Sequence, residues 1–280
     1  MKTQALARFT LIAVLFALLA CSHSAPPSPT VPSGAEGAAL SVTTEEVTYT
    51  SGTTTLKGFI AYPATAEKRP GVLVVHEWWG LNDYVRSRAK QLAELGYVAF
   101  AIDMYGEGKN TDHPEQAKEF MMAAMASMPD AQKRFEAAQA RLASDTRVDA
   151  QKLAAIGYCF GGATVLHMAR AGDNQLKLVA SFHGSLGTPT PMQPSAFAGK
   201  IFVAHGAADP FVPPDVVAAF KQEMDRAGAQ YELVEYPGAK HGFTNPAATA
   251  AGQAGNLPLE YNAEADQASW TRLTELLAAL

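Results

Sequence analysis

A chain of 280 residues, 48% of them hydrophobic and 18% charged, has the apolar material for a sizeable core, and length alone admits one large α/β domain or two small ones. A formal net charge of −5 gives no electrostatic reason to expect binding to nucleic acid or to an anionic membrane surface. There are only two cysteines, Cys21 and Cys159.

The first twenty residues are set apart from any fold. Lys2 and Arg8 precede an apolar run, Phe9 to Leu19, and small residues follow, which is the layout of a secretory signal peptide over residues 1–20. The run is short for a membrane span. Leu18-Leu19-Ala20-Cys21 resembles the bacterial lipobox, in which the cysteine is lipidated and becomes the new N-terminus. Ser22 after that cysteine is the pattern of outer-membrane sorting in a Gram-negative cell. The expectation is an exported lipoprotein facing the periplasm or cell surface and touching the membrane only through its anchor. Residues 21–40 hold the Pro- and Ser-rich tether, whose Ala25-Pro26-Pro27-Ser28-Pro29 cannot form a core and is expected to be extended. With Cys21 acylated, Cys159 has no intramolecular partner, and a lone thiol in an oxidising compartment is a liability unless it is buried or used.

From Val42 the pattern becomes that of a folded domain, residues 41–280. Val42 to Thr50, the turn Ser51-Gly52 and Leu56 to Ala61 predict an antiparallel hairpin. Pro70-Gly71 launches Val72-Leu73-Val74-Val75-His76, a continuous apolar strand of the kind buried on both faces. Asn82 caps a helix with Val85, Ala89, Leu92 and Leu95 on one face, Gly96 closes it, and Tyr97 to Ile102 is the next buried strand. Two helices follow, about Glu115–Met128 and Asp130–Ser144, separated by Pro129. Met121, Met122, Met125 and Met128 recur in the first of them. Because Ala117, Phe120 and Ala124 share that helix, the reading is a buried or lid-like apolar face rather than a copper(I) site. Strands are predicted at Leu153–Ile156, Leu176–Phe182, Ile201–Ala204 and Tyr231–Tyr236, and helices at Asp215–Ala227 and Ala263–Leu280. Strands alternating with helices predict a mainly parallel sheet covered on both faces. With no internal repeat and no mid-chain linker, one domain is expected.

The chemistry-bearing stretch is Gly157-Tyr158-Cys159-Phe160-Gly161-Gly162, between an apolar strand and a helical run. A strand turning sharply into a helix, with glycines on both sides of one reactive residue, is the layout of a nucleophile elbow, here with a thiol in place of the usual serine. Asp209 lies just past the strand Ile201–Ala204, and His241 past Tyr231–Tyr236. Sites on such sheets gather at the carboxyl ends of strands, and the order nucleophile, acid, histidine is that of an acyl-transfer triad in which His241 takes the proton and Asp209 fixes its tautomer. His76, His183 and His205 also fall near strand ends. They stand at no recognised ligand spacing, so no metal is expected.

These residues resemble the dienelactone hydrolases from about Val42 to the C-terminus. The marks are His76-Glu77-Trp78-Trp79-Gly80, Asp103-Met104-Tyr105, the elbow, Asp209-Pro210-Phe211-Val212-Pro213 and His241-Gly242-Phe243. The resemblance implies an α/β-hydrolase fold, the opening of an ester or lactone through an acyl-cysteine, no cofactor, and a small-molecule substrate. It also implies that Glu77 helps to deprotonate the thiol, and that the backbone N–H groups of Trp78 and Phe160 form the oxyanion hole. Trp79, Tyr105, Glu107, Phe243 and Asn245 are the expected pocket residues. Two of them depart from the family pattern. Where dienelactone hydrolases place two arginines on the substrate carboxylate, this chain has Glu107 and Asn245, so the chemistry is expected to be kept and the substrate changed toward neutral or cationic esters or lactones. A monomer is expected. Two other readings remain: a non-catalytic ligand-binding lipoprotein on the same fold, and a cysteine acyltransferase or peptidase-like enzyme using the same residues.

Overall fold

The computed structural model describes residues 40–280, which belong to one compact unit. The signal peptide, Cys21 and all of the tether before Leu40 lie outside the described residues.

Eight strands form one sheet. They are β1 (Val42–Ser51), β2 (Thr54–Pro63), β3 (Arg69–Val75), β4 (Val98–Ile102), β5 (Val148–Tyr158), β6 (Leu176–Phe182), β7 (Lys200–Gly206) and β8 (Gln230–Tyr236), in the order β1-β2-β4-β3-β5-β6-β7-β8. The hairpin β1–β2 is antiparallel and joins β4 antiparallel; every other pairing is parallel. Seven helices complete the described chain: α1 (Asp83–Glu94), α2 (Pro114–Met125), α3 (Met128–Ala143), α4 (Phe160–Arg170), α5 (Pro214–Ala227), α6 (Ala248–Gly255) and α7 (Ala263–Leu277).

Because successive strand side chains point to opposite faces, each continuous apolar strand feeds two cores. Leu73 and Val75 of β3 join Phe135 and Leu142 of α3, Val165 and Leu166 of α4, and Phe220 of α5 on one face. Val72 and Val74 join Val85 and Leu92 of α1 and Leu273 and Leu277 of α7 on the other. Helices on both faces leave the carboxyl ends of the parallel strands as the place where loops converge.

The helix boundaries differ from the sequence reading at Pro129. It does not separate the helices but sits in the first turn of α3, where a missing N–H costs nothing, and Ser127 caps that helix by accepting from the Asp130 N–H. On α2, Ala117 and Ala124 are buried and Phe120 and Met121 pack against the core, whereas Met122 and Met125 are exposed, as is Met128 at the start of α3. The reason is the helical period: 117, 120, 121 and 124 share one stripe and 122 and 125 fall outside it. The short helix α6 was not foreseen. Its run Ala248-Thr249-Ala250-Ala251-Gly252 has no apolar stripe, and only Ala248 and Gly252 are buried.

Candidate active site

The elbow is built by close backbone approach. A Cβ on Gly157 would sit 2.1 Å from the Gly161 carbonyl oxygen, and one on Gly161 would sit 2.3 Å from that of Val75. Only glycine lets β5 turn into α4 this tightly. Cys159 takes the strain, with φ 53° and ψ −113°, a conformation that costs an L-residue on the order of 1–3 kcal/mol. Its N–H donates to the Phe182 carbonyl at 3.0 Å, and its thiol, half-buried, is the free cysteine of the described residues.

His241 and Asp209 come from the loops after β8 and β7. His241 Nδ1–H donates to Asp209 Oδ2 at 2.8 Å, and both side chains are buried. The Asp209 loop is stitched to the end of β8 by the N–H groups of Ala207 and Ala208, which donate to Tyr236 and Ala239 at 2.9 Å each. Its other oxygen accepts from the Phe211 N–H at 2.8 Å, which leaves the exposed Phe211 ring edge-on to His241 at 5.0 Å. Burial alone would lower the His241 imidazole. The opposing pull of Cys159 and the hydrogen bond to Asp209 outweigh it and raise the imidazole to about 10. Cys159, Asp209 and His241 thus follow the carboxyl ends of β5, β7 and β8, with Asp209 and His241 joined.

Glu77 is 5% exposed, and its Oε2 accepts from Asn245 Nδ2 at 2.6 Å. Burial raises its carboxyl to about 7, against the Asn245 amide and the positive charges of His241 and Arg88, which pull it down. The loop that follows is held by its carbonyls. Glu77 O accepts from His76 Nδ1–H at 2.5 Å and from the Gly80 N–H at 3.2 Å, Trp78 O from the Tyr105 hydroxyl at 2.9 Å, and Trp79 O from the Thr111 N–H at 2.9 Å. This leaves the Trp78 N–H without an acceptor among the described residues, and the same holds for the Phe160 N–H at the first position of α4. Two unpaired donors beside a nucleophile elbow are what an oxyanion would need.

The pocket residues divide. Tyr105 is at the site, its ring against Phe160 (5.5 Å) and His76 (4.6 Å), and Trp79 backs Trp78 at 4.7 Å. Asn245 is turned to Glu77. Phe243 follows Gly242, which takes φ 75°, and is fully buried between Tyr236 and His183. Glu107 stands at φ 57° in a left-handed turn, more than half exposed, and pairs with Lys57 at 3.6 Å.

Asp103 has no exposure and accepts from four backbone N–H groups: those of Tyr105 (2.9 Å), Gly106 (2.8 Å), Gly108 (2.8 Å) and Lys57 (3.0 Å). It folds the loop that presents Tyr105. Of the three further histidines, His76 has both ring nitrogens engaged, by Glu77 O and the Met104 N–H (3.3 Å), and His183 binds the Thr244 hydroxyl at 2.8 Å. His205 is buried with Nδ1 unpartnered among the described residues. Sequence reasoning did not assign His183, Thr244, Tyr84 or Arg88 to the site. No motif links them; they meet only in the fold.

Among solved structures, this chain is similar to a dienelactone hydrolase-like promiscuous phosphotriesterase, P91, from metagenomic libraries. The identity is 33% and the TM-score 0.77, over 85% of this chain and 98% of that one. A second structure, m3DLH, matches at 35% identity and TM-score 0.78 over the same shares. Protein usf of Aquifex pyrophilus is 28% identical over 194 residues, 68% of this chain and 82% of its own length. A candidate carboxymethylenebutenolidase of Synechocystis sp. is 26% identical over 85% of this chain and 97% of its own. The fold is that of the α/β-hydrolases of this group. Residues 56–280 match the model of the dienelactone hydrolase family, and the chain belongs to that family.

Proposed function

We propose that the protein hydrolyses neutral esters or lactones through an acyl-cysteine on Cys159. The observation that carries this reading is the His241–Asp209 pair, joined at 2.8 Å beside a thiol on a strained elbow. The thiol proton passes to His241 Nε2, and the sulfur attacks the carbonyl carbon. The negative oxygen that forms is received by the Trp78 and Phe160 N–H groups. On collapse the C–O bond breaks, His241 returns the proton to the leaving oxygen, and a thioester remains. In a lactone that oxygen stays tethered to the acyl group. Water then attacks the thioester, giving its proton to His241, and the carboxylic acid leaves as the thiol is restored. Glu77, which changes charge near neutral pH, is a second proton acceptor in the same buried shell and assists deprotonation of the thiol. Substrate neutrality follows from the two departures: the Asn245 amide is committed to Glu77, and Glu107 to Lys57, so neither position offers a guanidinium to a carboxylate. A phosphotriester, the substrate type that P91 is named for, is also neutral and belongs among the probes. Attachment to an outer membrane through Cys21 is part of the same proposal, and a mature intact mass without acyl groups would remove it.

The test is hydrolysis of p-nitrophenyl esters by residues 22–280, wild type against Cys159→Ala, with intact-mass analysis of both. Turnover lost in the variant, with an acyl adduct on the wild type, supports the reading. An adduct that persists without turnover favours acyl transfer to another acceptor. Neither turnover nor adduct, in folded reduced protein, favours the binding lipoprotein. A strong preference for anionic over neutral esters of matched size would overturn the assignment of substrate class.

A further inference from the structure

Behind the His241 ring lies a second imidazole that the proposed reaction does not use. His183 follows β6 with φ 39°, uncommon for a residue with a side chain, and is 1% exposed. Its ring meets that of His241 at a centroid distance of 5.2 Å and an interplanar angle of 67°. Facing it are His241 from the loop after β8, Arg88 from α1, and Tyr158 from β5.

The hydrogen bonds around it form a chain that begins at Arg88. Arg88 has no acceptor to offer, so its Nε–H donates to the Tyr84 hydroxyl at 3.4 Å. The Tyr84 and Thr244 hydroxyls share a hydrogen bond at 2.6 Å, and Thr244 Oγ1 is bonded to His183 Nε2 at 2.8 Å. The other ring nitrogen, Nδ1, is buried and without a partner among the described residues. The ring is therefore held through Nε2. Arg88 also donates to the Thr244 carbonyl at 2.7 Å and pairs with Asp266 of α7, so its cation is fixed from both sides.

We infer that His183 is a positioning residue for His241: the chain that starts at the Arg88 cation fixes His183 as the neutral Nδ1–H tautomer, and this ring braces the His241 imidazole while Thr244 ties down the loop that carries it. The inference rests on the reading of His241 as the base. A neutral brace matters because a second cation at this distance would push the proton off His241. The environment agrees in direction, since burial and the charges of His241 and Arg88 hold His183 well below the usual histidine range.

The test uses the 22–280 chain labelled with 15N-histidine, its His183 signals identified by their loss in His183→Phe. The wild type should show His183 protonated at Nδ1 and bare at Nε2 from pH 5 to 9. Thr244→Val removes the hydroxyl at nearly constant volume. It should admit the other tautomer, lower the pH at which His241 loses its proton, and cut kcat on a neutral p-nitrophenyl ester by about 10- to 100-fold with KM little changed, the range for a slightly misplaced catalytic group. Thr244→Ser should restore all three. A proton on Nε2 in the wild type, titration of His183 in that range, or a Thr244→Val protein with unchanged tautomer and kcat would overturn the inference. If Thr244→Val fails to fold, the wild-type tautomer alone decides. Absence of all esterase turnover in the wild type would remove the catalytic reading of His241 and leave the NMR result to judge the hydrogen-bond chain.

Discussion

Two buried carboxylates stand at the mouth of this sheet, and they have opposite surroundings. Asp103, with no exposure, accepts from four backbone N–H groups that its own loop and β2 provide. Glu77, 5% exposed, accepts from one side-chain amide, Asn245. Asp103 meets four fixed N–H dipoles and clamps a turn. At Glu77 a single amide does not offset burial, and the carboxyl is left to titrate near neutrality, at about 7. The number of donors, rather than burial itself, separates the two surroundings.

The largest expected break of this comparison is Asp103→Ala, which strands four N–H groups and should destabilise the protein by about 3–5 kcal/mol, read by urea unfolding. At Glu77 the sign reverses. Its folded carboxyl lies above its unfolded value near 4.5, so the folded protein keeps a proton that the unfolded chain releases. The stability this contributes is complete below pH 4.5 and lost as pH rises to about 7. Glu77→Gln should therefore be neutral at pH 4 and stabilising by up to about 3 kcal/mol at pH 8, while it removes the step near pH 7 from the pH–rate profile. Equal unfolding free energies of the two proteins at pH 8 would contradict the raised carboxyl. Asn245→Leu takes away the single donor and should move that step up by about one pH unit, the equivalent of one hydrogen bond to a charge. An unmoved step would mean the amide does not tune Glu77. The smallest effect belongs to Glu107→Ala, which breaks only an exposed pair with Lys57 and should change stability by no more than about 0.5 kcal/mol. A large loss of activity in that variant would place Glu107 in the pocket.

Much of the scaffold is legible in the chain. The runs Val72–Val75 and Leu176–Phe182 are strands because nothing but a doubly covered sheet buries such segments, and Asn82 with Gly96 brackets α1 as cap chemistry requires. The elbow can be read for the same local reason, since Gly157 and Gly161 stand where backbone approach excludes a Cβ. The misreadings are equally physical. A proline two residues after a serine cap starts α3 rather than stopping its predecessor, and β5 begins at Val148 because Val148 and Asp149 already pair with Arg69 and Pro70, the exposed Ala150-Gln151-Lys152 bulging out before Leu153 pairs with Gly71. Motif position places Phe243 and Glu107 near the site, and only the fold shows Phe243 buried after a left-handed Gly242 and Glu107 exposed beside Lys57.

Sequence alone determined the strand–turn–helix that carries Cys159, the order Cys159, Asp209, His241, and the absence of arginine at positions 107 and 245. These depend on local backbone sterics and on residue identity. Only the tertiary structure decided that Asn245 binds Glu77, 168 positions away, and that Thr244 joins Tyr84, 160 positions away, to His183. The protonation of Glu77, His183 and His241 is set by which charges and donors share a dry interior with them. Such proximity is fixed by packing across the sheet, and no local pattern in the chain encodes it.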